Sequence, residues 1–232
     1  MTDLSTIEQN ILGIKQNMAT ACAATGRDPS DVSLIAVTKT IPLEILQACQ
    51  PLFTQHDVTT LGENRVQELL SKYDSLPTTD WHMIGNLQRN KVKYIADKVS
   101  LIHSVDNLKL ATDIDRHAGQ LGKVQEVLLE VNIAAEASKH GVKPTDLPAL
   151  AQACSHLPHL RVTGLMTVAP YVDNPEDNRR HFQHMARLLT QLKQDNPHLQ
   201  YLSMGMTGDY TVAIEEGATM VRIGTGIFGA RD

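Results

Sequence analysis

Lys39 closes an apolar run, residues 32–39 (VSLIAVTK). The run is β-branched and aliphatic, too short for a helix, and followed by Pro42, so it reads as a buried strand. Such a strand sets a primary amine at the mouth of a core. Desolvation disfavours the ammonium form, and a neutral lysine amine attacks aldehydes and ketones to form Schiff bases. The same position also lets a lysine snorkel into solvent. Near the other end, Gly224, Gly226 and Gly229 give the spacing GxGxxG. A dinucleotide site is rejected, because that motif needs a following helix and an acid about 20 residues on, and the sequence runs only to Asp232. The glycines instead read as a nest of backbone N–H groups suited to a phosphate, with hydroxyls from Ser203 and Thr225, or as a tight chain turn. Arg222 lies inside an apolar strand-like stretch, where its permanent charge must be paired. It turns either inward to a site or outward to a helix carboxylate. Asn64 and Asn86 either cap helices or touch a ligand.

The elements that must position these groups alternate. An amphipathic helix over residues 3–25 carries Leu4, Ile7, Ile11, Ile14 and Met18 at helical spacing. Strand-like segments follow at 32–39, 58–62, 81–85, 101–105, 124–132, 162–168, 200–205 and 220–224. Helix-like ones lie between them at 43–50, 63–75, 87–98, 107–120, 145–156, 176–195 and 209–216. Strands separated by helices pair in parallel through right-handed crossovers, and eight such units close into a (β/α)8 barrel. An open doubly wound sheet is the alternative. No linker divides the chain, so residues 1–232 read as one domain: an α/β fold, a single TIM barrel with an extra N-terminal helix. In a barrel the C-terminal strand ends form the active face. Lys39, Asn64, Asn86, Asn132, Ser203, the Thr207-Gly208-Asp209 turn, Arg222, Gly224 and Thr225 all fall there.

Composition narrows the partners. The 232 residues are 42% hydrophobic, enough for one sizeable core, and the net charge is −5 with no basic run. Neither nucleic acid nor an anionic membrane is implied. Cys22, Cys49 and Cys154 are odd in number and scattered, which argues for reduced thiols in the cytoplasm and against a disulfide framework or zinc. The N-terminus lacks a signal sequence, and no run reaches the roughly 20 apolar residues that span a bilayer. His181 and His184 stand at i, i+3 on a polar helix, where a solvated face is expected, because a structural zinc needs four ligands. His82 and His103 read as core residues. No metal is expected.

A strand-one lysine, a strand-eight arginine and a phosphate nest suggest pyridoxal 5′-phosphate. With the segments Ala36-Val-Thr-Lys-Thr40, Gly62-Glu-Asn-Arg-Val-Gln-Glu68, Trp81-His-Met-Ile-Gly-Asn-Leu-Gln-Arg-Asn-Lys91, Val131-Asn132, Lys139-His-Gly141, Gly164-Leu-Met-Thr167, Leu202-Ser-Met-Gly-Met206 and Val221-Arg-Ile-Gly-Thr-Gly-Ile-Phe-Gly-Ala-Arg231, the chain resembles the pyridoxal phosphate homeostasis proteins. The resemblance implies the fold-type III barrel of the alanine racemase N-terminal domain. It places a Schiff base on Lys39, Arg222 at the ring nitrogen, the phosphate at Ser203, Gly224 and Thr225, and Asn64 at the cofactor. It also implies a cytoplasmic monomer that carries or regulates vitamin B6 without established turnover, with apo-enzymes that use the cofactor as transient partners. The chain shows no second domain to supply a tyrosine base, and arginine leaves the pyridine a weak electron sink. The competing readings are a small amino-acid racemase with Lys39 as base and a Schiff-base aldolase acting on a phosphorylated sugar.

Overall fold

The computed structural model describes residues 3–136 and 139–229; Ala230 and Arg231, which end the last of the matching segments, lie outside them. Helix α1 (Leu4–Ala24) is capped by Asp3, whose carboxylate accepts from the Thr6 N–H at 2.7 Å, and buries Ile7, Ile11, Ile14 and Met18 on one face. It packs on the outside of the barrel. Asn10 donates to the Ile227 carbonyl and Asn17 to the Tyr210 hydroxyl, both at 3.0 Å. The repeating units follow: β1 (Ser33–Val37), α2 (Leu43–Gln55), β2 (Thr60–Glu63), α3 (Val66–Tyr73), β3 (Asp80–Met83), α4 (Val92–Ile95), β4 (Leu101–Val105) and α5 (Leu108–Gln120). The second half is β5 (Gln125–Glu130), α6 (Leu147–Ser155), β6 (Leu160–Met166), α7 (Arg179–Lys193), β7 (Tyr201–Ser203), α8 (Tyr210–Glu215), β8 (Met220–Ile223) and α9 (Thr225–Phe228). The strands pair in parallel in the order β1 to β8, and β8 returns to β1, closing the barrel. The open doubly wound sheet is excluded.

Three local departures from the sequence expectations have physical causes. Helix α2 runs on through Pro51 to Gln55 because its apolar face continues: Leu46, Cys49 and Phe53 are all buried. Proline's fixed φ is helical, so the ring removes one hydrogen bond without ending the helix where packing compensates. The helix expected over 87–98 shrinks to a 3-10 turn (Arg89–Lys91) and the single α-turn α4. There Leu87 is drawn into the core and the Arg89 side chain is bonded to Asp113 of α5. The terminal glycine segment holds a short helix, α9, that the pattern did not suggest.

Alternation along each strand decides what fills the barrel. Leu34, Ala36, Leu129, Leu165 and Val221 belong to the large core between strands and helices. Their neighbours Ile35, Leu101, Leu128, Met166 and Met220 form a separate cluster, which the alternation places inside the barrel. The same parity sends His82, His103, Glu130, Ser203 and Arg222 inward, all of them buried. The interior is therefore apolar in one part and richly polar toward the C-terminal strand ends. Glu130 is 7% exposed and one carboxyl oxygen has no hydrogen-bond partner. Burial pushes its pKa up to about 7, with Asp106 adding to the rise and Arg222 opposing it.

The strand ends that will carry the site are tied by a buried ion pair. Lys72 of α3 donates to Glu63 at 2.6 Å and to the Thr38 carbonyl at 2.8 Å, while the Thr38 hydroxyl donates to Glu63 at 2.8 Å. Glu63 is 0% and Lys72 4% exposed. Burial pushes the Glu63 pKa up, and the bonds from Lys72 and Thr38 oppose the rise. Removing one partner strands a buried charge, so Lys72→Met is expected to lower unfolding free energy in urea by about 3–5 kcal/mol. Adding Glu63→Gln should recover more than half of that loss.

Glu130 yields a pH test. Its folded pKa of about 7 exceeds the ordinary value of 4.5. Between those values the folded state holds the proton more tightly, so this group's contribution to stability falls as pH rises through the window. Glu130→Gln should match wild type within about 1 kcal/mol near pH 5 and exceed it by about 2–4 kcal/mol near pH 8, read from denaturant unfolding at the two pH values.

Candidate active-face pocket

A cavity of about 580 Å³ opens at the C-terminal strand ends, lined by Val37, Lys39, Asn64, Arg222, Gly224, Thr225 and residues of the β3, β6 and β7 loops. Its size falls in the range that holds small organic ligands. The structure thus brings Lys39, Asn64, Arg222, Gly224 and Thr225 to one hollow, although they span the sequence from end to end. Its outer rim is open: Tyr171 is 95% exposed, and Val168 and Met206 are exposed beside it.

The backbone around Lys39 is fixed on both sides. Thr38 before it is held by Glu63 and Lys72. Thr40 after it adopts φ 63°, a left-handed conformation costly for a β-branched residue. Its N–H is bonded to the Glu68 carboxylate of α3 at 2.6 Å, a charge-assisted contact that helps to hold the strained turn. The segment Gly62-Glu-Asn-Arg-Val-Gln-Glu68 therefore supplies two of the three anchors of the lysine, and Lys72 of α3 the third. Asn64 is placed by close packing. A Cβ on Gly85 would stand 2.3 Å from the Asn64 carbonyl oxygen, so glycine is required where the end of β3 meets the loop after β2.

Arg222 is 4% exposed. Its guanidinium donates to the Ser203 hydroxyl at 2.5 Å and to the Thr167 carbonyl at 2.8 Å. Burial lowers its pKa to about 10, while Glu130 and Asp209 act to raise it. It keeps its charge at neutral pH. The outward-facing alternative for Arg222 is excluded, since β8 parity and burial both turn it inward.

Ser203 stands apart from the other expected site residues. It is fully buried at the end of β7, does not line the cavity, and its hydroxyl is taken by Arg222 and by His103 at 3.0 Å. Its inward parity puts it behind the arginine, away from the cavity wall. Thr207 supplies the hydroxyl on that wall beside Thr225. It lines the cavity with Gly208, and its hydroxyl accepts from the Thr225 hydroxyl and the Gly226 N–H, both at 3.2 Å. Asp209 holds that loop by accepting from the Met206 N–H at 2.7 Å and from Asn178 at 2.8 Å. Gly224 begins α9 and meets Val37 closely. The terminal glycine turn thus presents a short helix start to the cavity.

Asn132 lies outside the cavity and holds the loop after β5, donating to the carbonyls of Glu136 and Lys139. Among the described residues no group of three or more His, Cys, Asp or Glu side chains could hold a metal ion. The three cysteines are buried and free, and burial pushes Cys49 and Cys154 up to about 11. No described helix is long and apolar enough to cross a membrane. The sequence reading overlooks Glu130, and it places the Thr207 turn on the active face without giving Thr207 a role. An acid at an inward position of an apolar strand is the same signal that singled out Arg222.

Comparison with known proteins agrees with this geometry. The family model described as alanine racemase, N-terminal domain, matches residues 3–232. The pyridoxal phosphate homeostasis protein of Aquifex aeolicus is 45% identical over 221 residues, 94% of this chain and 95% of that protein. A crystal structure of an unknown protein from Bifidobacterium adolescentis superposes with a TM-score of 0.90 at 33% identity, covering 98% of both chains. The structure of PipY from Synechococcus elongatus with PLP bound gives a TM-score of 0.77 at 34% identity, covering 91% of this chain and all of that one. The family match over residues 3–232 and the 45% identity over 94% of this chain agree, and the chain belongs to the alanine racemase N-terminal domain family, among the pyridoxal phosphate homeostasis proteins.

Proposed function

We propose that this protein binds pyridoxal 5′-phosphate in the active-face pocket and serves intracellular homeostasis of that cofactor without turning over a substrate. The single observation that carries the reading is the convergence of Lys39, Arg222 and the Thr207–Gly224–Thr225 corner on one cavity of about 580 Å³. The donor set suits the group. Lys39 would take the cofactor's aldehyde carbon through its amine, with loss of one water. Arg222 would face the ring nitrogen, and the hydroxyls of Thr207 and Thr225 with the backbone N–H groups near Gly224 would take the phosphate. Asn64 lies on the same wall and would contact the ring side. When bound, the cofactor supplies an electron sink and an exchangeable aldehyde. The PLP-bound relative supports this assignment.

The protein's own residues favour holding over turnover. Arg222 is charged and donor-only, so a ring nitrogen facing it would accept its hydrogen bond and stay unprotonated, and an unprotonated pyridine is a weak sink for carbanion chemistry. The open rim at Tyr171 admits water, which suits exchange better than chemistry that needs a dry site. The homeostasis names of the full-length relatives support the same reading. It extends to a cytoplasmic monomer that meets apo-enzymes transiently through the exposed mouth. The three buried thiols agree with a reducing compartment.

Two experiments check it. Borohydride reduction of the loaded protein followed by peptide mapping should place the pyridoxyl label on Lys39, and Lys39→Ala should lose the visible absorption band with its unfolding midpoint little changed. A label mainly on Lys139 or Lys91 defeats the assignment. Turnover of the loaded protein on the proteinogenic amino acids should stay below about 1 s⁻¹, the lower edge of ordinary enzyme rates. A faster rate that Lys39→Ala abolishes would establish the racemase-like alternative.

A further inference from the structure

Arg222 is one end of a line of contacts that crosses the barrel interior. Its Nη1 donates to Ser203 Oγ at 2.5 Å. Ser203 Oγ lies 3.0 Å from His103 Nδ1, His103 Nε2 lies 3.0 Å from His82 Nδ1, and His82 Nε2 lies 3.3 Å from Asp80 Oδ2. Asp80 is the first residue of β3 and also accepts from Thr60 at 3.4 Å. The line thus runs from the entry end of the barrel strands to the floor of the pocket. His103 and Ser203 are fully buried and His82 is nearly so.

We propose that Ser203, His103, His82 and Asp80 form one proton-ordered chain that holds Arg222 in place behind the pocket, with His103 and Ser203 as positioning residues for the cofactor ring. The order follows from the two ends. A guanidinium can only donate, and an ionised carboxylate can only accept. Ser203 receives from Arg222, so its own proton goes to His103 Nδ1. A neutral His103 then carries its proton on Nε2 and gives it to His82 Nδ1, and His82 carries its proton on Nε2 and gives it to Asp80. Every donor has an acceptor in this arrangement. In the reverse arrangement the Ser203 proton has no partner among the bonds of the described residues. Burial, and then the proximity of His82 and Arg222, pushes His103 well below the usual imidazole range, which keeps it neutral. Burial alone would raise Asp80, but bonds from His82, Ser100 and Thr60 hold it below the usual carboxylate range. The groups facing the chain are thus Arg222 of β8, Asp80 and His82 of β3, and Glu130 of β5 and Asp209 of the loop after β7, which act electrostatically on Arg222.

The assignment rests on the pocket reading above, and its test separates the two. Long-range proton–nitrogen NMR of the unloaded wild-type protein near neutral pH should show both rings as the Nε2–H tautomer; an Nδ1–H tautomer at His103 overturns the chain whatever the pocket binds. Ser203→Ala should then weaken binding of pyridoxal 5′-phosphate and of unphosphorylated pyridoxal equally, by about tenfold, through the lost bond to a charged group. It should also shift the pH profile of the bound chromophore. A loss confined to the phosphorylated ligand would make Ser203 a phosphate ligand instead, and an unchanged affinity and profile would make the chain purely structural; either result overturns the proposal. His103→Gln, which can both accept and donate, should stay within about threefold of wild type, whereas His103→Leu should behave like Ser203→Ala. Wild-type protein that shows the predicted tautomers but binds neither ligand would refute the pocket reading and, with it, the role toward the ring.

Discussion

A guanidinium that cannot shed its proton is enclosed inside a barrel, and much of the interior is arranged around that fact. Arg222 needs acceptors in a region with little water, and it finds the Thr167 carbonyl and the Ser203 hydroxyl. A buried group left without a partner costs the full desolvation of that group, so a buried hydroxyl or imidazole that accepts one hydrogen bond must also donate its own proton onward. That requirement, carried through Ser203, His103 and His82, ends at a carboxylate, Asp80. Asp209, and Glu130 when ionised, act electrostatically on the arginine without a hydrogen bond to it. The apolar interior cluster of Ile35, Leu101, Leu128, Met166 and Met220 fills the space that the polar line leaves.

The lysine end is built by a different means. Lys39 follows a strand, and a strand end is free to fray unless something ties it. Glu63 and Lys72 hold the residue before it, and Glu68 holds the strained residue after it. All three anchors come from β2, α3 and the turn between them, so one βα unit presents the amine supplied by the unit before it. The arrangement puts an amine carried on a fixed backbone and a hydrogen-bonded cation on the same cavity. It suits holding an aldehyde cofactor tightly enough to retain it and openly enough to exchange it. A ring nitrogen facing a permanent cation also has little capacity to stabilise a carbanion.

Much of this was legible in the residues. The strands were recognisable because short β-branched runs between turn residues have few other uses, and α1 because Ile7, Ile11, Ile14 and Met18 keep helical spacing over about three turns. Lys39 and Arg222 stood out because charge at the end of, or inside, an apolar strand is expensive. Other features were hidden. Helix α2 passes through Pro51 because Phe53 packs beyond it, and Arg89 is engaged by Asp113 of a later helix. Neither fact is local, so neither leaves a local signal. That Ser203 bonds to Arg222 is hidden in the same way: its parity, shared with Tyr201 and opposite to Leu202, turns it inward, and the partner it meets comes from another strand.

The sequence by itself determined the class of fold, the order of its elements and the two charged residues around which the site forms, because burial periodicity and the cost of buried charge are written residue by residue. Only the tertiary structure decided which groups meet. Whether Thr207 or Ser203 faces the cavity, whether Asn64 is pressed into place by Gly85, and whether two histidines 21 positions apart form one hydrogen-bonded line are set by strand register and by closure of β8 onto β1. Those are relations between distant parts of the chain. A shift of one residue in any strand would reverse which side chains point into the barrel.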